Sequence, residues 1–226
     1  LNTLNDNTTG AVDATTLMTI TGSAAHVNTA YTAGMASEII GLGNEAVTLD
    51  DTTLAVTTLN TLDSNTTGTI DATTVTKLTG SASDVNSAYA SGGVTNLDGD
   101  EAVTLSDTTL SAATLNTLDG NTTGAVDATT VTTLTGSAAN VNTAYESMGI
   151  SNLADEAVTL TDTSLAAATL NMLDGNTTGT IDAATLTTLT GSAANANTAH
   201  ASGGVTNLGD VTVILTDTTL TVATLN

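Results

Sequence analysis

A parallel α/β solenoid is the fold this 226-residue sequence predicts, and three observations predict it. Leu1-Asn2 returns at Leu59-Asn60, Leu115-Asn116, Leu170-Asn171 and Leu225-Asn226, so near-identical text recurs every 55–58 residues. Each repeat is itself double, because AANVNTAY (138–145) aligns residue for residue with AATLNTLD (112–119). Finally, Val/Thr/Leu-rich segments open at Leu17, Val47, Val75, Val103, Val131, Val158, Leu186 and Val213, at spacings of 27–30 residues. A fixed period of this size marks an array whose units bury their apolar faces on their neighbours. The expected architecture is a right-handed parallel β-solenoid of about eight coils, each of about 28 residues. They group into four double repeats (1–58, 59–114, 115–169 and 170–224), with a fifth opening at 225–226. The array reads as a single domain and, closing in phase, as a stretch of a longer chain.

Within a coil the first element is a strand. VTLTD (158–162) alternates apolar and polar positions and is rich in β-branched residues. A short helix follows. In the stretch 81–84 Ser81 caps it and Asp84 sits in the first turn, where the helix dipole favours an anion. Ala82, Val85, Ala88 and Tyr89 fall on one helical face, as Ala112, Leu115 and Leu118 do in the sister unit. Gly92-Gly93 and Asp119-Gly120 are the expected stops. A second short strand, GTIDAT (68–73) or GVTNL (93–97), completes the unit as strand, short helix, strand. The first spacing is long because MASEII (35–40) replaces the usual ASGG, an insertion expected in a loop that leaves the coil path intact. One coil alone buries too little to offset its ordering entropy, so stability must be shared along the array. Small helix residues such as Ala let neighbouring helices approach.

Charge and composition narrow the function class. Lys77 is the only basic side chain against 23 acidic ones, a formal charge of −22, which excludes nucleic acid and anionic lipid surfaces as partners. Mean hydropathy of +0.19 is too high for a disordered acidic chain. No apolar run approaches membrane-spanning length, so membrane insertion is not expected. The absence of Cys removes disulfides and thiolate metal sites. A saline or Ca²⁺-containing extracellular setting suits such a chain.

LTGSAANVNTAY (134–145) and EAVTLTDTSLAAATLNMLDGNTTG (156–179) resemble Thr/Ala/Asp-rich tandem repeats of giant secreted or cell-surface proteins of marine bacteria, notably cyanobacteria. The likeness runs the whole length of the chain. It implies an exported structural or adhesive protein and carries no catalytic motif. The GGxGxDxUx nonapeptide of the calcium-binding β-rolls is missing, so that family's metal residues are not carried over.

Three repeated side-chain series are the candidate sites. The carboxylates Asp13, Asp71, Asp127 and Asp182 share one repeat position, and Asp51, Asp107, Asp162 and Asp217 another. Each series would form a ladder recurring every second coil, about 10 Å apart. Ca²⁺ is the one cofactor they invite, although it wants six to eight oxygens. The asparagines Asn2, Asn28, Asn60, Asn86, Asn116, Asn142, Asn171 and Asn197, with Asn226, form a structural ladder whose amides bond each other or backbone groups. NTTG at Asn7, Asn65, Asn121 and Asn176 is both a turn and a glycosylation sequon. The third series is Thr: TxT pairs at Thr19/Thr21, Thr133/Thr135, Thr159/Thr161 and Thr188/Thr190 resemble ice-binding arrays, with Lys77 interrupting them. His26 and His200 belong to distant coils and share no site, and no GxSxG, P-loop or HExxH occurs. The expectation is no enzyme but an extracellular stalk, spacer or filament-forming segment. Its partners would be neighbouring repeats or identical subunits stacked end to end, with ice binding or calcium binding as the alternatives.

Overall fold

A computed structural model describes residues 1–221, so the fifth repeat expected at 225–226 lies outside the described residues. The chain divides into two compact units: Leu1–Ser106 with Gly120–Val126, and Asp107–Asp119 with the residues from Asp127 onward.

The first unit runs α1 (Asn2–Asp6), β1 (Val12–Asp13), β2 (Thr19–Gly22), α2 (Ala24–Met35), β3 (Ile39–Ile40), β4 (Ala46–Leu49) and β5 (Thr53–Ala55). It continues with α3 (Val56–Asn65), β6 (Ile70–Asp71), β7 (Lys77–Gly80), α4 (Ala82–Ala90), β8 (Val94–Thr95) and β9 (Ala102–Leu105). Strand pairing is parallel: β1 with β3, β2-β4-β6-β8 in one sheet, and β5-β7-β9 in another. Coil follows coil by the same rule. Between successive strands of the β2-β4-β6-β8 sheet the chain always passes through two further segments: α2 and β3, then β5 and α3, then β7 and α4. Every coil therefore has three sides, and the helix moves from the second side to the third when β5 is inserted. The expected insertion at 35–40 lengthens α2, β3 keeps the place that β8 holds after α4, and the pairing Ile20↔Val47 survives.

The second unit repeats this plan. It opens with β10 (Thr109–Ser111); α5 (Ala112–Asn121) and β11 (Val126–Asp127) have residues in both units; then come β12 (Thr133–Gly136), α6 (Ala138–Glu146), β13 (Ile150–Ser151), β14 (Ala157–Leu160) and β15 (Ser164–Ala166). Then follow α7 (Ala167–Asn176), β16 (Ile181–Asp182), β17 (Thr188–Gly191), α8 (Ala193–Ala201), β18 (Val205–Thr206) and β19 (Thr212–Leu215). One parallel sheet is β10-β12-β14-β16-β18 and another β15-β17-β19. Again β15 is the inserted strand, and α7 and α8 follow it on the third side.

The architecture is the parallel α/β solenoid, but its climb is shorter than its sequence unit. Leu134 pairs with Val158, Val158 with Ile181 and Ile181 with Val205, steps of 24, 23 and 24 residues. The 28-residue period counts one helix per unit and misses β5 and β15, strands written as the DTTLA and DTSLA that read as polar lead-ins to the helix. A double repeat holds seven segments against three per coil, so equivalent residues of successive half-repeats are not stacked.

The helices form where the sequence placed them. Ser81 caps α4 and accepts from the Asp84 amide, and Ser23, Ser137 and Ser192 do the same for α2, α6 and α8. Their ends differ from expectation. α4 stops with Ser91 extended, and the left-handed residue is Asn96 (φ +60°), not Gly92 or Gly93. α5 runs through Gly120 to Asn121. Between strand and cap stands a glycine at φ of about +150°, Gly80 (+146°) and Gly136 (+148°) among them, where a Cβ would strain the backbone. The core of each unit is Leu and Ile from these strands under Ala, Val and Leu from the helices. Leu59, Leu62, Ile70 and Leu78 are fully enclosed in the first unit, and Leu134, Leu170, Leu173 and Ile181 in the second.

Candidate functional site

The repeated polar residues lie along seams between neighbouring coils. At the first seam a carboxylate reaches back to the helix of the preceding coil. Asp51 Oδ2 accepts from the Ala24 amide at 2.7 Å, Asp162 from Ala138 at 2.8 Å and Asp217 from Ala193 at 2.7 Å. These amides belong to the first residues of α2, α6 and α8, where N–H groups lack helical partners and the dipole attracts an anion. The Ser cap and the Asp thus satisfy one helix end from two coils. Asp107, at the same repeat position, is likewise engaged.

The other carboxylate series closes turns. Asp71 Oδ1 accepts from the Thr73 amide at 3.1 Å, from the Thr73 hydroxyl and, across the coil boundary, from Asn96 Nδ2 at 2.7 Å. Asp127 is held in the same way by Thr129 and Asn152, and Asp182 by the Ala184 amide and Asn207 Nδ2 at 2.8 Å. Asn96, Asn152 and Asn207 all take φ near +60°, which Asn tolerates. The Thr73 hydroxyl, then Asn96, holds the Asp71 carboxyl below its ordinary range, and the Thr15 hydroxyl does so for Asp13. Asp13, Asp71, Asp127 and Asp182 stand on β1, β6, β11 and β16, strands of four different sheets, so they do not recur every second coil along one sheet. In its sheet Asp71 lies between Thr48 and Thr95, and Asp182 between Thr159 and Thr206. With a 24-residue step against a 55–58-residue repeat, each successive Asp of the series falls in a different sheet.

Along the helices the asparagines bridge coils. Asn28 Nδ2 donates to the Thr58 carbonyl (3.0 Å), Asn60 to Asp84 (3.0 Å), Asn116 to Asn140 (2.9 Å), Asn142 to Thr169 (3.3 Å) and Asn171 to Asn195 (3.0 Å). Asn2 makes the same bond to His26. Three of the four sequon asparagines enter this series, since Asn65 donates to Asn28 Oδ1, Asn121 to Asn86 and Asn176 to Asn142, each at 2.9–3.0 Å. Asn197 sits exposed on α8 and is engaged as well.

No family model, curated protein or solved structure matches this chain.

Two further clasps escaped the sequence reading. Glu45, Glu101 and Glu156 are almost fully buried. Each accepts a Tyr hydroxyl (Tyr31 at 3.1 Å, Tyr89 at 2.8 Å, Tyr145 at 3.1 Å) and amides of the preceding loop such as Gly43, Asp98 and Ala154. Glu45 Oε1 has no partner. Burial pushes the Tyr31 phenol up to about 12, and Tyr89 and Tyr145 move in the same direction for the same reason. The signal was present: the fourth repeat replaces Tyr and Glu together, by His200 and Val211. Secondly, the hydroxyls of Ser91, Ser147 and Ser202 donate to Asp63, Asp119 and Asp174 at 2.8 Å, and Gly93, Gly149 and Gly204 press against those carboxylates.

Among the described residues no three of His, Asp and Glu come together as a metal-holding group. His26 Nδ1 lies 3.0 Å from Ser23 Oγ on α2, and His200 is exposed on α8. The TxT pairs do not stack on one another. Thr133 and Thr135 lie between Thr109/Ser111 and Ala157/Thr159, Thr188 and Thr190 between Ser164/Ala166 and Thr212/Ile214, and Lys77 between Thr53 and Ala102.

Proposed function

We propose that the chain is an extracellular structural or adhesive segment, a stalk or spacer built of stacked coils, without catalytic activity. One observation carries this reading: the polar side chains that recur in every repeat are used between coils. A carboxylate oxygen that already accepts two or three donors has little capacity left for Ca²⁺, which wants six to eight oxygens. Interleaved TxT pairs do not make the flat two-column array an ice-binding face requires. The acidic surface keeps coils soluble and favours a saline exterior.

An in-frame deletion of residues 115–169 tests the reading in the organism that makes the protein, since it joins Thr114 to Leu170 at the same point of the repeat. Export and attachment should persist, their reach graded with repeat number. Complete loss of a saturable binding or turnover activity on deleting this one repeat would overturn it.

A further inference from the structure

All the sulfur of this chain lies in four methionines, Met18, Met35, Met148 and Met172, and none of them is in the core. Methionine is ordinarily among the residues most often buried. Here Met18 is 83% exposed, Met35 71%, Met148 102% and Met172 46%, while the apolar core is Leu, Ile, Val and Ala with Tyr31.

At three of these places the exposure belongs to the repeat itself. Met18 stands where the other repeats have Thr76, Thr132 and Thr187, all exposed. Coils flank that position on both sides: Thr76 donates to the Thr52 carbonyl of the preceding coil and accepts from the Ala102 amide of the following one. Met172, on α7, replaces the exposed Thr61 of α3 and Thr117 of α5. Met148 replaces Gly92 and Gly203, where an added Cβ meets nothing within 4 Å. Met35 ends α2 inside the insertion and has no counterpart. Other groups that oxidants attack are absent or engaged. There is no Cys or Trp, and the hydroxyls of Tyr31, Tyr89 and Tyr145 are held by Glu45, Glu101 and Glu156.

From this placement we propose that Met18, Met148 and Met172 are modification sites for peroxides, each taking up one oxygen atom while the coils stay intact. A sulfur lone pair attacks one peroxide oxygen, the S–O bond forms as the O–O bond breaks, and the second oxygen leaves as water after a proton shift. Sulfur is oxidised to the sulfoxide and hydrogen peroxide is reduced to water. A sulfoxide is polar and disrupts a core that contains it. At these three positions it stays in water, and the Thr or Gly of the sister repeats shows that the coil needs no apolar group there. The array thus consumes oxidant at its surface without loss of fold, and thiol-dependent sulfoxide reduction restores the side chains.

Hydrogen peroxide treatment of the full chain carrying Met35→Leu, followed by peptide mass mapping and thermal unfolding, tests the proposal. Each of the three sulfurs should gain one oxygen at a rate within roughly tenfold of a free methionine peptide. Leu118→Met, a volume-conserving swap at a 0% exposed position of α5, supplies a buried sulfur that should oxidise at least about tenfold more slowly than Met148. Should that variant fail to fold, comparison with the free peptide decides alone. With all three sulfurs oxidised the melting temperature should stay within about 2 °C of the untreated chain. Protection of any of the three beyond that tenfold range, or a melting temperature that falls as oxygen is taken up, would overturn the proposal.

Discussion

Substituting Gly68 by Ala probes a seam between coils, and Gly10 supplies the control at the same repeat position. A Cβ on Gly68 would come closer than 3.0 Å to both Glu45 and Asn44 carbonyl groups, so backbone has to move. Three hydrogen bonds converge there: Gly68 N–H to Thr66 Oγ1 (3.0 Å), Thr66 Oγ1 to the Glu45 carbonyl (3.3 Å) and Thr67 N–H to the Gly43 carbonyl (2.9 Å). Overpacking of this kind costs about 1–3 kcal/mol, and two weakened neutral hydrogen bonds add about 0.5–1.5 kcal/mol each. The total of about 2–6 kcal/mol corresponds to a Tm lowered by roughly 5–20 °C in a chain of this length. For Gly10→Ala the added methyl meets an ordinary contact at 3.8 Å. Restricting the unfolded chain there stabilises by about 0.4–1 kcal/mol. Thermal unfolding followed by circular dichroism at one fixed salt concentration compares the two. If both variants melt with the unaltered chain, or both fall equally, the close approach at the seam is not what selects glycine.

Asp162→Ala should lower stability by about 0.5–2 kcal/mol, the worth of a helix cap, and Asp162→Asn by less, measured by urea unfolding. At alkaline pH the raised Tyr31 pKa means its folding contribution is complete below the unfolded value near 10 and is lost as pH climbs toward about 12. Phenolate absorbance and unfolding should rise together across that window, and Tyr31→Phe should remove the Tyr31 share of the slope. Ca²⁺ should raise the melting temperature no more than NaCl of equal ionic strength, because screening acts on −22 charges either way; a larger Ca²⁺ response would reveal a site. Purified chain should give no thermal hysteresis, and faceted ice crystals would show that interleaved Thr rows suffice for ice.

Much of the fold was legible because its cues are local. Ser81 with Asp84, the apolar face Ala82-Val85-Ala88 and the alternation of VTL each declare an element within a few residues. What the sequence concealed was the climb. Text repeats every 28 residues while backbone pairs every 24, and only a partner across the coil reveals that difference. Asp162 looks like a turn residue until its acceptor role 24 residues back, at Ala138, is known. The Asn series was visible as a pattern, yet its acceptors, carbonyls inside the neighbouring helix, carry no side-chain signature. Gly93 imitates a helix stop because packing against Asp63 and ending a helix both ask for a missing Cβ.

The seven-against-three mismatch of segments also bears on how near-identical repeats avoid folding onto the wrong copy. Tandem arrays risk slippage, because any strand can pair with its double one unit away. Here AVTL of β4 lies between TITG of β2 and ID of β6, and AVTL of β14 between TLTG of β12 and ID of β16. Each word is recognised by two different words and never by itself. Pairing at the 28-residue text period in place of the 23–24-residue step would set like beside like, pull Gly68 away from the Glu45 carbonyl and detach the Asp51 carboxylate from α2. A repeat can be gained or lost whole without changing a single neighbour, whereas a half-repeat cannot, and this is the unit in which such a chain is free to lengthen.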